Sequence, residues 1–204
     1  LTRIVAVNSG GKSSLATEML ANNIRRPPAP GFWHEYLDRE YRFAFDTKGV
    51  YGVDMNVRKE DCPRTIEALS AHLGTKLKAA KGPGIVVIDS LEAFSSEETE
   101  DRAVERESQH AKGKDIVLDG SYTAKTGAAA LLSETLRITL ADAMSTGSLL
   151  VTLSQIRVNL EAVGKFSQKT KKIGGAALDH WVDTELWLKP IKYLTVGDKK
   201  NQTE

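Results

Sequence analysis

The residue types with the clearest chemistry lie in a short glycine-containing segment near the start of the chain. An apolar run, Ile4–Val7, precedes this segment, and the helix-like stretch Ser13–Asn23 follows it. Glycine lets backbone N–H groups approach phosphate oxygens closely, and a helix N-terminus adds partial positive charge. A lysine in the same segment adds a full positive charge. The segment therefore predicts a phosphate site built from Ser9, Gly10, Gly11, Lys12, Ser13 and Ser14.

The spacing departs from the common phosphate-loop pattern G-x-x-x-x-G-K-[ST]. Ala6 stands where that pattern has its first glycine, five residues before Gly11. A surface turn that contains a lysine is therefore the alternative interpretation. If the site is real, the Ser13 hydroxyl is the candidate ligand for Mg²⁺.

The composition suits one α/β domain. The chain has 204 residues, 41% hydrophobic and 27% charged, which is ordinary for a globular protein with a sizeable core. A net charge of +1 means that any nucleic-acid surface must be a local patch. The single cysteine, Cys62, excludes an internal disulfide and fits a reducing compartment. No apolar run approaches membrane-spanning length, so no membrane partner is expected.

Apolar runs alternate with helix-like segments along the chain, which predicts a mostly parallel twisted sheet with helices on both faces. We expect a single domain over residues 1–204, with mobile loops near residues 95–125 and 158–175. The predicted strands are Ile4–Val7, Tyr41–Phe45, Ile85–Ile88, Ser148–Leu153 and Thr184–Leu188. The main predicted helices are Ser13–Asn23, Pro63–Ala80 and Ala128–Met144.

Three polar features follow predicted strands and should therefore meet at one sheet edge, where parallel sheets bind ligands. They are the glycine segment, Asp89 and Gln155. Asp89 can accept a hydrogen bond from a magnesium-bound water or cap the following helix. Gln155 can bond a terminal phosphate oxygen or simply end a strand. For hydrolysis, Asp46 is the only acid near the end of the second predicted strand, and Lys48 lies two positions beyond it.

A basic stretch follows Gln155. Such a segment can neutralise several nucleic-acid phosphates and give salt-sensitive binding, or it can be a solvated loop. If Gln155 detects the terminal phosphate, hydrolysis would change this segment and with it the affinity for DNA. The basic residues are Arg157, Lys165, Lys169, Lys171 and Lys172.

In order, these segments resemble the RecA family of recombination ATPases. VNSGGKSSL resembles the Walker A loop, and IVVIDSLEAF resembles the Walker B strand. A third segment, LLVTLSQIRVNLEAVG, resembles the strand and DNA loop that follow in the family. A fourth, IGGAALDHWVDTELWL, resembles the segment that closes that loop. The resemblance implies ATP and Mg²⁺ as cofactors, a filament on single-stranded DNA, and pairing with homologous duplex DNA. It also implies a cytoplasmic location in a bacterium or a phage-infected cell.

The resemblance also implies roles for individual residues. Lys12 and Ser13 would hold phosphate and magnesium, Asp89 would serve the metal, and Gln155 would detect the terminal phosphate. Lys48 stands where relatives carry a catalytic glutamate, which predicts slow or absent hydrolysis unless Asp46 takes that role. The second DNA loop would begin after Arg157 and include Gly174 and Gly175, and Lys199 and Lys200 would reach the nucleotide of a neighbouring subunit.

We therefore predict an ATP-dependent DNA-binding recombinase of the RecA type with DNA-dependent ATPase activity. A ring-forming DNA motor of the RadA or DnaB kind is one alternative, because it shares the same core. A structural protein that binds nucleotide without hydrolysing it is another, and Lys48 is the feature that favours it. A small-molecule kinase is disfavoured by the basic stretch after Gln155.

Overall fold

The computed structural model describes residues 1–112, 122–158, 170–172, 175–189 and 191. The strands are β1 (Thr2–Ala6), β2 (Trp33–Asp38), β3 (Val57–Arg58), β4 (Gly84–Asp89), β5 (Leu149–Val158), β6 (Thr170–Lys172) and β7 (Thr184–Trp187). The helices are α1 (Lys12–Arg25), α2 (Thr47–Tyr51), α3 (Ile66–Ala79), α4 (Glu97–Ala111), α5 (Tyr122–Thr146) and α6 (Gly175–Trp181). A short 3-10 helix, Leu91–Ala93, follows β4.

Six strands form one parallel sheet in the order β3-β2-β4-β5-β1-β7. The seventh, β6, pairs antiparallel with the far end of β5. This arrangement confirms the predicted α/β fold with a mostly parallel sheet. The register places Ala6 beside Gln155 and Asp89 beside Leu153, so the carboxyl ends of β1 and β4 meet beside the middle of β5.

Helices cover both faces of the sheet, so its central strands are buried on both sides, and β4 is continuously apolar from Ile85 to Ile88. Successive side chains in β4 point to opposite faces: Val87 packs in the cluster that contains Leu20 of α1, whereas Val86 packs in the cluster of α3 and α5. Both valines are fully buried. The α1 cluster contains Ile4 of β1 and Leu20 of α1, so it packs together the two elements that the glycine segment joins.

The strand expected at Tyr41–Phe45 is wrong, because β2 lies earlier, at Trp33–Asp38. Polar residues inside β2 hide its strand character in the sequence. Glu35 is almost completely buried there, and it is compensated by a 2.7 Å hydrogen bond with His72 and an ion pair with Arg58. A buried charge is tolerated when it is paired in this way.

The segment near residues 95–125 contains helical structure where a loop was expected. Helix α4 occupies Glu97–Ala111 and α5 begins at Tyr122. Most of α4 is exposed and charged, so it lacks the apolar periodicity that signals a packed helix.

Among the described residues, no helix combines the length and apolar character that crossing a membrane requires.

Candidate functional site

A cavity of about 420 Å³ opens where β1 and β4 end, beside Gln155 of β5. It brings together all six residues of the predicted phosphate site with Asp89 and Gln155, three segments that are far apart in the chain. The lining residues are Asn8, Ser9, Gly10, Gly11, Lys12, Ser13, Ser14, Glu40, Arg42, Phe45, Asp89 and Gln155.

The glycine segment turns sharply from β1 into α1, and glycine is needed for this turn. Gly11 precedes the helix in a left-handed conformation, with φ of 85°, which glycine adopts at little cost. A Cβ atom on Gly10 would lie 2.7 Å from the Ala6 Cβ atom. No side chain caps α1, and its first turn contains no acidic residue. The N–H groups at this helix end are therefore placed for an anion.

Lys12 is largely buried at the base of the cavity. Its Nζ atom lies 3.1 Å from the Val7 carbonyl oxygen and 3.4 Å from that of Ala6. Burial lowers the pKa of Lys12, and the charges of Asp89, Glu40 and Glu92 oppose this shift. The ammonium group is thus held beside the glycine turn and close to three carboxylates.

Asp89 and Ser13 form the oxygen-rich side of the cavity. The Ser13 hydroxyl donates a 3.1 Å hydrogen bond to Asp89 Oδ2, and the Tyr36 hydroxyl donates a 2.7 Å bond to the same atom. Burial raises the pKa of Asp89, and the hydrogen bond from Tyr36 opposes that shift. Burial and Asp89 also raise the pKa of Tyr36, so its hydroxyl keeps its proton and acts as a donor.

This donor set suits Mg²⁺ bound together with phosphate. Within the described part of the chain, no group of three or more His, Cys, Asp or Glu residues is arranged to hold a metal. Mg²⁺ does not need such a cage, since it usually takes one or two protein oxygens and completes its shell with water and phosphate oxygens. Ser13 and Asp89, beside the anion-binding turn, therefore fit a magnesium–phosphate group.

Glu40 is the functional candidate that the sequence reasoning missed. It lies two residues beyond β2, and its carboxylate accepts hydrogen bonds from Ser90 Oγ at 2.9 Å and Gln155 Nε2 at 3.4 Å. The backbone N–H groups of Arg39 and Glu40 donate to the Asp89 carbonyl oxygen, at 2.8 and 3.2 Å. These bonds join the ends of β2 and β4 and set Glu40 at the cavity wall.

Asp46 lies at the N-terminus of α2 and does not line the cavity. Its carboxylate accepts a 2.8 Å hydrogen bond from the Gly49 N–H group and caps the N-terminus of α2. Asp46 is exposed and is not among the cavity-lining residues. The expectation that it follows a strand is wrong, because β2 ends at Asp38. The nearest carboxylate beyond that strand end is Glu40, and placing β2 correctly would have pointed to it.

The basic stretch begins on an extension of β5. In the hairpin with β6, the backbone of Arg157 pairs with that of Lys171, and Ile156 pairs with Lys172. Gly175 is the first residue of α6. The other residues predicted to contact DNA or a neighbouring subunit's nucleotide, Lys165, Lys169, Gly174, Lys199 and Lys200, lie outside the described residues.

A buried arginine ties the start of the sheet to α6. Arg3 of β1 is fully buried, and its guanidinium forms ion pairs with Asp179 of α6 and Glu185 of β7. Because β1 runs directly into the glycine turn, this cluster joins the strand that carries that turn to the helix that follows the basic segment. Two further guanidinium atoms, Nε and Nη1, are buried without a hydrogen-bond partner among the described residues.

Comparison with known proteins identifies the fold. No protein-family model and no curated protein matches the chain. One solved structure, an ATPase domain, superimposes with a TM-score of 0.52 and 14% identity, covering 93% of this chain and 69% of that one. A second, "The Structure Of A DnaB-Like Replicative Helicase And Its Interactions With Primase", gives 0.51 and 14%, covering 92% of this chain but only 47% of that one. At this identity the likeness concerns the fold alone, and the chain has the RecA-like α/β fold of these structures.

Proposed function

We propose that this chain is the ATP-hydrolysing core of a motor that acts on DNA. The observation that carries the proposal is the convergence of a cation, a serine–aspartate pair, an acid and an amide on one cavity at the sheet edge. These groups are Lys12, Ser13 with Asp89, Glu40 and Gln155. Phosphoryl-transfer sites rely on such positioning and charge stabilisation.

Each group has a distinct role in this proposal. Lys12 and the N–H groups at the start of α1 bind the β- and γ-phosphates of ATP. Ser13 and Asp89 hold Mg²⁺, which neutralises charge that develops on the phosphate oxygens. Glu40 orients the attacking water and takes its proton. Gln155 contacts the terminal phosphate, and its 3.4 Å contact with Glu40 joins that contact to the hydrolytic carboxylate.

The link to DNA runs through β5. Gln155 and Arg157 belong to the same continuous strand, and β6 adds Lys171 and Lys172 beside it. Loss of the terminal phosphate therefore acts on a strand that carries basic residues. We propose that this hairpin and the basic residues around it, Lys165 and Lys169 with Gly174 and Gly175, contact single-stranded DNA.

For the assembly, we propose a ring of subunits as in DnaB-like motors. The similarity of the fold to that of a DnaB-like replicative helicase supports this choice. A RecA-type filament that pairs homologous duplex DNA is the second candidate, favoured by the RecA-like segment LSQIR and the double glycine after the basic stretch. In either assembly, Lys199 and Lys200 are proposed to reach the nucleotide of the adjacent subunit.

We expect Mg²⁺-dependent phosphate release from ATP that rises with single-stranded DNA and loses this stimulation as salt is raised. The reason is that basic residues bind DNA by releasing counterions, an effect that salt opposes. Phosphate release, measured with and without single-stranded DNA at two salt concentrations, tests this. Lys171→Gln with Lys172→Gln should reduce the stimulation, whereas the matched pair Lys76→Gln with Lys78→Gln, on α3, should not. No phosphate release under any condition would support the non-hydrolysing alternative.

Electron micrographs in ATP and single-stranded DNA separate the two assemblies. We expect closed rings, because the fold is similar to that of a DnaB-like helicase. Helical filaments that lengthen with the DNA would instead support the recombinase. Omitting the nucleotide is the control, since a nucleotide bound between subunits should be needed for either assembly.

A further inference from the structure

We infer that the buried hydroxyl of Tyr36 is a positioning group for the cation site, acting through the carboxylate of Asp89. This inference rests on the proposed function, because it requires that Asp89 serve a metal bound with nucleotide. Tyr36 does not line the cavity. Its hydroxyl reaches the cavity through the hydrogen bond that it donates to Asp89, and it also lies close to the Ser13 hydroxyl.

The geometry around Asp89 supports this role. One carboxylate oxygen, Oδ2, accepts both the Tyr36 hydroxyl at 2.7 Å and the Ser13 hydroxyl at 3.1 Å. The two donors approach from different elements, since Tyr36 lies in β2 and Ser13 in α1. Two bonds on one oxygen restrict rotation of the carboxylate and so fix the direction of the other oxygen. Groups that orient a metal-binding carboxylate typically change metal affinity 10- to 100-fold when removed, as a rough guide.

Tyr36 is itself held rigidly. Its side chain is fully buried in the α1 cluster, and its ring packs edge-on against Phe43, with 4.7 Å between ring centroids. Phe43 in turn packs against Phe45, which lines the cavity. A phenylalanine could fill the core position equally well. The hydroxyl, which needs a buried acceptor, is the part that packing alone does not explain.

Tyr36→Phe therefore removes one oxygen and keeps the ring. The test measures Mn²⁺ binding in the presence of a non-hydrolysable ATP analogue. The electron paramagnetic resonance signal of free Mn²⁺ is the readout. We expect the affinity for Mn²⁺ to fall by about tenfold. Binding of the same analogue in the presence of a chelator should stay within about twofold, because Lys12 and the helix N-terminus need no metal to attract phosphate.

Tyr51→Phe is the matched control. Tyr51 packs against the same cluster at the edge of the core and does not line the cavity, so Mn²⁺ affinity should not change. Unchanged Mn²⁺ affinity in Tyr36→Phe would overturn the inference. So would an equal loss of metal-free analogue binding, which would show that the hydroxyl acts on folding. If the unaltered chain binds the analogue but shows no analogue-dependent Mn²⁺ binding, the inference about Tyr36 is wrong, while the proposed phosphate site is still supported. If the unaltered chain binds neither the analogue nor Mn²⁺, the proposed function itself is wrong.

Discussion

Replacing Glu40 with glutamine is expected to lower kcat for ATP hydrolysis by about 100-fold or more, whereas Asp46→Asn should leave it within about twofold. A positioned general base contributes roughly 10²- to 10⁴-fold to such reactions. Glu40 lines the cavity, and glutamine keeps its size while removing its ability to take a proton. Steady-state phosphate release in saturating ATP and single-stranded DNA measures the effect.

Asp46→Asn is the matched control because asparagine caps helices as well as aspartate does. The cap of α2, made by the 2.8 Å bond from the Gly49 N–H group, is therefore kept. Asp46→Asn should bind ATP with unchanged affinity because Asp46 does not line the cavity, and Glu40→Gln should bind it no more weakly because it removes a negative charge from the cavity. If Asp46→Asn lost hydrolysis while Glu40→Gln retained it, the assignment of the hydrolytic carboxylate to Glu40 would be wrong.

Removing both acidic partners of Arg3 should lower the free energy of unfolding by about 3 kcal/mol. A buried charge left without its partner typically costs about 3–5 kcal/mol, and Arg3 is fully buried. We expect the lower end of that range because the electrostatic interaction between Glu92 and Arg3 remains in the variant. The change is Asp179→Asn with Glu185→Gln, and urea denaturation is the measurement.

The added substitution Arg3→Met is the control for this prediction. It removes the stranded charge, so the triple variant should regain much of the lost stability even though it has fewer ion pairs. Unfolding of the double variant at the same urea concentration as the unaltered chain would show that the guanidinium is solvated or otherwise compensated. A triple variant less stable than the double would show that Arg3 contributes mainly through packing of its stem.

Much of the side of the cavity formed by the glycine turn, Asp89 and Gln155 is predictable from the sequence. Each of the three strands contains an apolar run, Ile4–Ala6, Ile85–Ile88 or Leu149–Val151, as expected for strands buried on both faces. Once those three strands are recognised, parallel topology brings the residues that follow these runs to one edge. The turn did not need the usual first glycine, because Ala6 is the last residue of β1 and the tight approach occurs at Gly10.

The side of the cavity that contains Glu40 was not predictable in the same way. β2 contains His34 and Glu35, and Glu35 is accommodated by partners from β3 and α3 that are distant in sequence. Because those contacts cannot be recognised from the sequence, the aromatic-rich segment Tyr41–Phe45 was the better candidate for a strand. The misplaced strand then moved the expected acid from Glu40 to Asp46. Tertiary pairing of one buried charge thus accounts for the misplaced strand and for the choice of Asp46 rather than Glu40 as the expected acid.

β5 is ten residues long and unbroken from Leu149 to Val158. Its first half is buried between β1 and β4, Gln155 pairs with the last residue of β1, and the final residues pair only with β6 among the described strands. A strand rises about 3.3 Å per residue, so the two residues from Gln155 to Arg157 span roughly 7 Å. Because the strand is unbroken between these residues, β5 can behave as a rigid rod. Under the proposed function, a tilt of β5 beside the nucleotide would displace the outer hairpin as a unit. Conversely, a displacement of the hairpin would be transmitted to the nucleotide.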